Sequence, residues 1–162
     1  MSQSNIPRMP SAFPPWLTDQ GVDISLYPIQ DVCRQALSSN DREFQSGCSL
    51  LKSMCGTGRV DAGVFLLGLI WRHSNEYSRL VLIVNALESF ERPETVKALA
   101  SELRRVKGSS LTRRYLRRII EVLGRFPSEL AGETIEQLSM DPTVGAKFRE
   151  HLKELTGNNF EW

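Results

Sequence analysis

Four arginines, Arg113, Arg114, Arg117 and Arg118, crowd into one short stretch of a chain whose formal net charge is only +1. On a helix that advances about 100° per residue they share one arc of about 140°. Leu111, Tyr115, Leu116, Ile119, Ile120, Val122 and Leu123 fall on the opposite arc. Such a helix has an apolar face for a core and a guanidinium face for an anion. A guanidinium is a planar fork of donors that matches carboxylates and phosphates, so the chemistry on offer is electrostatic capture. Arg104, Arg105 and Lys107 stand just upstream and Arg125 just downstream, and all three upstream residues are candidate anion contacts. Acids such as Glu88, Glu91, Glu94, Glu102, Glu121, Glu133 and Glu136 are close enough in sequence to neutralise the face internally. Two states are therefore open: a solvated, internally paired surface, or a docking surface for an acidic protein segment or a nucleic-acid backbone.

No constellation for bond-making chemistry accompanies the arginines. His73 and His151 lack metal-ligand spacing, and both are expected at the surface. Gly56-Thr57-Gly58 lacks the further glycine, the lysine and the preceding strand of a phosphate loop. Asp61 and Glu76 form no acid/base pair. Three cysteines, Cys33, Cys48 and Cys55, make an odd count with no C-x-x-C pair, which disfavours a disulfide framework or a tetrahedral zinc site. The expectation is a non-enzymatic protein without cofactor or metal, its thiols reduced and its location cytoplasmic. The longest uncharged apolar runs are about eight residues, far below the ~20 that cross a bilayer as a helix. Residues 1–8 lack the apolar stretch of a secretory signal. At 162 residues, 41% apolar and 24% charged, the chain fits one soluble globular domain.

The elements that would hold the arginines read as helices. Pro7, Pro10, Pro14 and Pro15 mark residues 1–24 as an extended, proline-rich arm, with Phe13, Trp16 and Leu17 as possible anchors. Ser25-Leu26-Tyr27-Pro28 then reads as a helix start, followed by the stripe Ile29, Val32, Cys33 and Leu37. Asn40-Asp41-Arg42-Glu43 resembles a capping box ahead of Phe44, Cys48, Leu51 and Cys55, and Gly56-Thr57-Gly58 stops that second helix. The greasiest part of the chain, from Ala62 to Phe90, forms the third and fourth helices, with Ser74 available as a cap between them. Pro93 opens the fifth, Leu111 to Phe126 is the sixth, and Pro127-Ser128 precedes the seventh. Asp141-Pro142 is expected to cap and begin the eighth, which Gly157 closes, leaving 158–162 as a tail. No alternating run bounded by turn residues is present, so essentially no sheet is expected.

Internal periodicity organises these helices. The windows 49–54, 85–90 and 121–126 repeat at thirty-six residues, each with leucine third (Leu51, Leu87, Leu123) and a large apolar residue sixth (Met54, Phe90, Phe126). Cys48, Val84 and Ile120 precede them in register, and Leu99 and Ile135 keep the spacing in the following helices. A helix pair recurring every ~35–45 residues is how α-solenoids are written, because no single pair buries its own apolar face. On this period and apolar phase the chain resembles the HEAT and armadillo class of helical repeats. The resemblance implies an all-α domain over 25–157, about four antiparallel helix pairs stacked as a short solenoid. The alternative is an irregular helical bundle.

The register also places neighbours for the arginines. The fourth-helix positions that match 113, 114, 117 and 118 are Tyr77, Ser78, Val81 and Leu82. If these face outward, an apolar centre of Tyr77, Val81 and Leu82 adjoins an arginine rim, a common composition for protein recognition. The expected function is a scaffold or adaptor that binds another protein bearing an acidic segment. The alternative is nucleic-acid binding through the 104–118 basic cluster. No membrane partner is expected. The arm, through Trp16 or Phe13, is the other candidate cover for those apolar residues.

Overall fold

The computed structural model describes residues 14–157. Among them are a two-stranded hairpin, β1 (Leu17–Thr18) and β2 (Gly21–Val22), and eight helices. The helices are α1 (Ile29–Ala36), α2 (Asp41–Gly56), α3 (Val60–Arg72), α4 (Tyr77–Leu87), α5 (Pro93–Arg105), α6 (Arg113–Arg125), α7 (Ser128–Ser139) and α8 (Ala146–Gly157). The protein is all-α apart from that hairpin, in which Leu17 pairs with Val22 and Thr18 with Gly21. The hairpin lies in the stretch expected to be an extended arm; Gly21, at φ +116°, takes the turn conformation that side chains resist. Residues 1–13 of the arm and the tail 158–162 lie outside the described residues.

Local chemistry explains where the helices begin and end. Asn40 is extended, and its Oδ1 accepts from the amides of Arg42 at 3.0 Å and Glu43 at 3.2 Å, a cap of the kind worth ~1 kcal/mol. At the far end of α2, Gly58 adopts φ +90°, and the Arg59 amide returns to the Met54 carbonyl at 3.0 Å. Pro93 occupies the first turn of α5, where its missing donor costs nothing. Phe126 is extended before Pro127, as the residue preceding a proline prefers, and that bend separates α6 from α7. Two expected caps are displaced. Glu76, not Ser74, precedes α4 and gives no side-chain cap. Asp141 accepts from the Thr143 amide at 2.9 Å and its hydroxyl at 2.6 Å, closing a turn ahead of a helix that begins only at Ala146. The carboxylate satisfied its nearest donors first.

Packing puts α2, α4, α6 and α8 side by side in one layer. In the other, α1 lies beside α3 and α5 beside α7. Sequential helices close the pairs, α1 on α2 and α7 on α8 most extensively. The thirty-six-residue register is a register of depth: Leu51, Leu87 and Leu123 are all fully buried, as are Cys48, Val84 and Ile120. A second column, Phe44, Leu80, Leu116 and Leu152, runs through all four helices of that layer and is equally buried. Gly63 fills the place that Leu99 and Ile135 occupy one and two periods on. A Cβ there would lie 2.4 Å from the Phe90 ring, so the first repeat gives up a side chain to admit the phenyl group of the second.

Several side chains depart from expectation. Leu111 is 79% exposed instead of joining the apolar face of α6, because it precedes the helix and the chain turns away there. His73 is buried, edge-on to Phe44, with Nδ1 3.2 Å from Glu76 Oε1; it terminates α3 where the chain folds back over α2. Cys48 and Cys55 are buried and Cys33 half-buried. Burial pushes the Cys48 thiol up to about 12 and the Cys55 thiol up to about 11.

Candidate functional site

A groove of about 500 Å³ opens along the layer of even-numbered helices. Lys52 enters it from α2, Val81 and Asn85 from α4, and Arg114, Arg117, Arg118 and Glu121 from α6. Its geometry follows from the stack: α4 is flanked by α2 and α6, and the long polar side chains at the two seams meet over α4.

The four clustered arginines of α6, Arg113, Arg114, Arg117 and Arg118, divide into three roles. Arg118 is structural. Its Nη2 donates to Glu88 Oε2 at 2.8 Å, its Nη1 to Glu121 Oε2 at 3.1 Å, and its Nε to Asn85 Oδ1. Its side chain is largely covered. Glu88 also accepts from Arg125 Nη1 at 2.7 Å. Arg114 and Arg117 are exposed beside this network and, among the described residues, form no ion pair or hydrogen bond. Arg113 turns away, into a smaller recess with Ser109, Ser110, Lys147 and Phe148. The acids nearest the groove, Glu88 and Glu121, are already engaged by Arg118 and Arg125, and Lys52 acts on Glu88 only through space, so Arg114 and Arg117 are left without a paired acid.

The upstream cluster is mostly consumed. Arg104 Nε donates to Asp141 Oδ2 at 2.7 Å. Arg105 binds Glu102 with Nε at 2.6 Å and Nη2 at 2.9 Å, and Nη2 also reaches the Ser74 carbonyl at 2.9 Å. Lys107 is exposed. Of the three candidate anion contacts, Arg104 and Arg105 thus serve the fold. Arg79, which sequence reasoning passed over, is structural in the same way. It lies over the Phe44 ring at 4.3 Å and donates to the carbonyls of Ser38 and Ser39 and to Asp41, each at 3.0 Å.

The apolar half of the expected patch is not an outward surface. Val81 is only 5% exposed and forms the floor of the groove. Tyr77 is half-buried, its ring 5.8 Å from that of Tyr115 on α6. Leu82 is half-buried against the core. Over Tyr77 and Val81 the cover is the next helix of the stack. Trp16 instead packs edge-on to Tyr27, with ring centroids 4.7 Å apart, and Phe13 lies outside the described residues. What remains is a guanidinium and ammonium rim over a narrow apolar floor.

The ion pairs have a measurable pH signature. Arg125, and then Arg118, hold the Glu88 carboxyl below the ordinary range, and Thr143 followed by Arg104 brings Asp141 down to about 2. A carboxyl with a folded value below its unfolded value stabilises the fold above the unfolded value, and that contribution vanishes as pH falls through the folded one. The melting temperature is therefore expected to fall as pH drops from about 5 toward about 2. Glu88→Gln should lower stability at neutral pH and make that decline shallower. An unchanged slope in Glu88→Gln would show that this carboxylate is not linked to folding.

The fold and groove define an all-α protein of stacked helix pairs, compatible with a helical repeat. No family model, no curated protein and no solved structure matches the chain. Among the described residues no helix is long and apolar enough to cross a membrane.

Proposed function

We propose that this protein is a non-enzymatic helical-repeat module of the HEAT or armadillo kind that binds an acidic segment of another protein in the α2–α4–α6 groove. One observation carries the reading: Arg114 and Arg117 stand exposed and unpaired beside Arg118, which three side chains hold in place. Two free guanidiniums beside an anchored ion-pair network form a receptor for carboxylates. A charge-assisted hydrogen bond contributes roughly 1.5–3 kcal/mol net, against about 0.5–1.5 kcal/mol for each arginine side chain that binding immobilises. The narrow floor at Val81 supports a slender extended segment with small apolar residues among its acids. The reading includes a cytoplasmic location, supported by three unpaired cysteines, the state that a reducing compartment maintains. It includes no cofactor and no membrane contact.

Nucleic acid is the weaker reading because the basic surface is short. Arg104 and Arg105 are neutralised by Asp141 and Glu102, so the charge does not extend as a stripe along which a phosphate backbone could run. Fluorescence anisotropy with a labelled acidic peptide and with a DNA duplex, across a salt titration, tests both. Arg114→Glu/Arg117→Glu, at exposed positions, is expected to keep the native circular dichroism and weaken peptide binding by at least about 100-fold, about tenfold per reversed charge. Peptide binding unaffected by the double reversal would sink the proposal. Tight duplex binding that falls steeply with salt would transfer the groove to nucleic acid.

A further inference from the structure

The outer face of α3 carries a second surface. Val60, Val64, Leu67 and Trp71 follow one another at spacings of four, three and four, the seam of two packed helices. At about 100° per residue they fall within an arc of about 60°. Val60 is 42% exposed, Val64 59% and Trp71 82%. Gly68 lies along the same face, and nothing stands within 4 Å of where its Cβ would be. A seam this regular, uncharged and flanked by a glycine admits another helix at close range. Beside it α3 and α5 diverge around a recess of about 640 Å³ in which Leu67, Ile70, Trp71 and Ala98 extend the apolar area past the seam, under a rim that includes Glu94, Lys97, Glu102 and Arg105.

The charges on its flank select the occupant. Asp61 and Arg72 lie on one side of the seam, about 100° and about 120° from Val60, at opposite ends of α3. Asp61 remains 46% exposed although its oxygens accept from Arg59 Nε at 3.1 Å, Arg59 Nη2 at 2.7 Å and the Ala62 amide at 2.9 Å, and Arg72 is exposed without an ion pair among the described residues. A helix with an acid at one end of a flank and a base at the other is complementary to its own antiparallel copy. We propose that two copies of this chain associate through α3 packed antiparallel on α3, around a two-fold axis near Phe65 and Leu66. Val60 then meets Trp71 of the other copy, Val64 meets Leu67, and Asp61 meets Arg72. The interface is isologous, as a two-fold dimer requires. A seam on a helix of 13 residues, about 20 Å long, falls at the small end of specific interfaces, so the dimer is weak and concentration-dependent.

Sedimentation velocity of the full chain from about 1 to about 100 µM, the range of weak association, is the test. The expected result is a shift from monomer to dimer within that range. Val64→Glu and Trp71→Glu, both at solvent-exposed sites that preserve the helical circular dichroism, should hold the chain monomeric. Arg72→Glu, which sets carboxylate against carboxylate, should weaken association by at least about fivefold. Arg114→Glu/Arg117→Glu, in the other layer, should leave it unchanged, which separates this interface from the groove. A monomer at every concentration overturns the proposal, as does a dimer that survives both glutamate variants. A monomer in which iodide fails to quench Trp71, read in a chain with Trp16→Phe and Trp162→Phe, overturns it too, because the seam then has another occupant.

Discussion

Glu102→Ala is expected to lower stability by about 2–4 kcal/mol, read as a fall in the urea midpoint at unchanged slope. Glu102 is buried on α5 and ties three parts of the stack together. Its Oε1 accepts from the Tyr115 hydroxyl at 2.8 Å and from Arg105 Nη2 at 2.9 Å, and its Oε2 from Arg105 Nε at 2.6 Å. Arg105 carries the link on to the Ser74 carbonyl between α3 and α4. Burial, and then the neighbouring Glu102 charge, push the Tyr115 hydroxyl well above its ordinary range, so it stays a neutral donor. Alanine leaves that hydroxyl in the core without an acceptor. Arg105 is 41% exposed and can turn to water, which keeps the cost below that of a fully buried broken pair. Glu102→Gln retains an acceptor for Tyr115 and should cost less than alanine. Tyr115→Phe removes the donor that Glu102→Ala strands, so the double variant should be less destabilised than the two single effects combined. Strict additivity would show that the carboxylate and the phenol do not communicate.

That network also shows where sequence reasoning stopped. The helices were legible because their apolar stripes and caps are local, and Asn40, Pro93 and Pro127 act within one turn. The period was legible at Leu51, Leu87 and Leu123 because the same residue type recurs. The column Phe44, Leu80, Leu116 and Leu152 keeps the same period and the same burial, but its first member is a different residue type. Roles of arginine were not legible, since Arg118 and Arg117 are adjacent and chemically identical. Only the neighbouring helix makes one a strut and leaves the other free. A usable signal existed all the same: Arg79 bonds Asp41 across 38 residues, Arg104 bonds Asp141 across 37 and Arg125 bonds Glu88 across 37. In a stack, an acid about one period from an arginine lies on or just beyond the adjoining helix, and the pair belongs to the fold.

The same logic misassigned Tyr77, Val81 and Leu82. Register transfers a residue's angular position from one helix to the next, but exposure depends on what lies alongside. The side of α4 that carries Tyr77 and Val81 is met by α6 through Tyr115 and the groove arginines. On α6 the corresponding positions Arg113 and Arg117 are exposed. Exposed apolar side chains lie instead on α3, where Val60, Val64 and Trp71 face outward, although its run of eight uncharged residues looked like pure core.

Leu87→Ala is expected to cost about 3–5 kcal/mol and to lower the stability of the whole chain in one transition. Leu87 is fully buried on the helix with α2 and α6 on either side, and a truncated core leucine loses its transfer energy and leaves a cavity that such a packed position cannot collapse around. A loss of that size is a large share of the 5–15 kcal/mol that a domain of this length has in total. Leu152→Ala removes the same side chain from the second buried column, on α8, the last of the eight described helices. In a stack, stability is close to a sum of nearest-neighbour interfaces, so this loss should fall on α8 and its contacts with α7 and α6. Amide exchange followed residue by residue separates the two. Leu87→Ala should raise exchange from α2 through α6 together, whereas Leu152→Ala should raise it chiefly in α7 and α8 and spare α2 to α4. If Leu152→Ala instead accelerates exchange uniformly along the chain, the protein unfolds as one cooperative bundle, and the thirty-six-residue period describes its geometry but not its energetics.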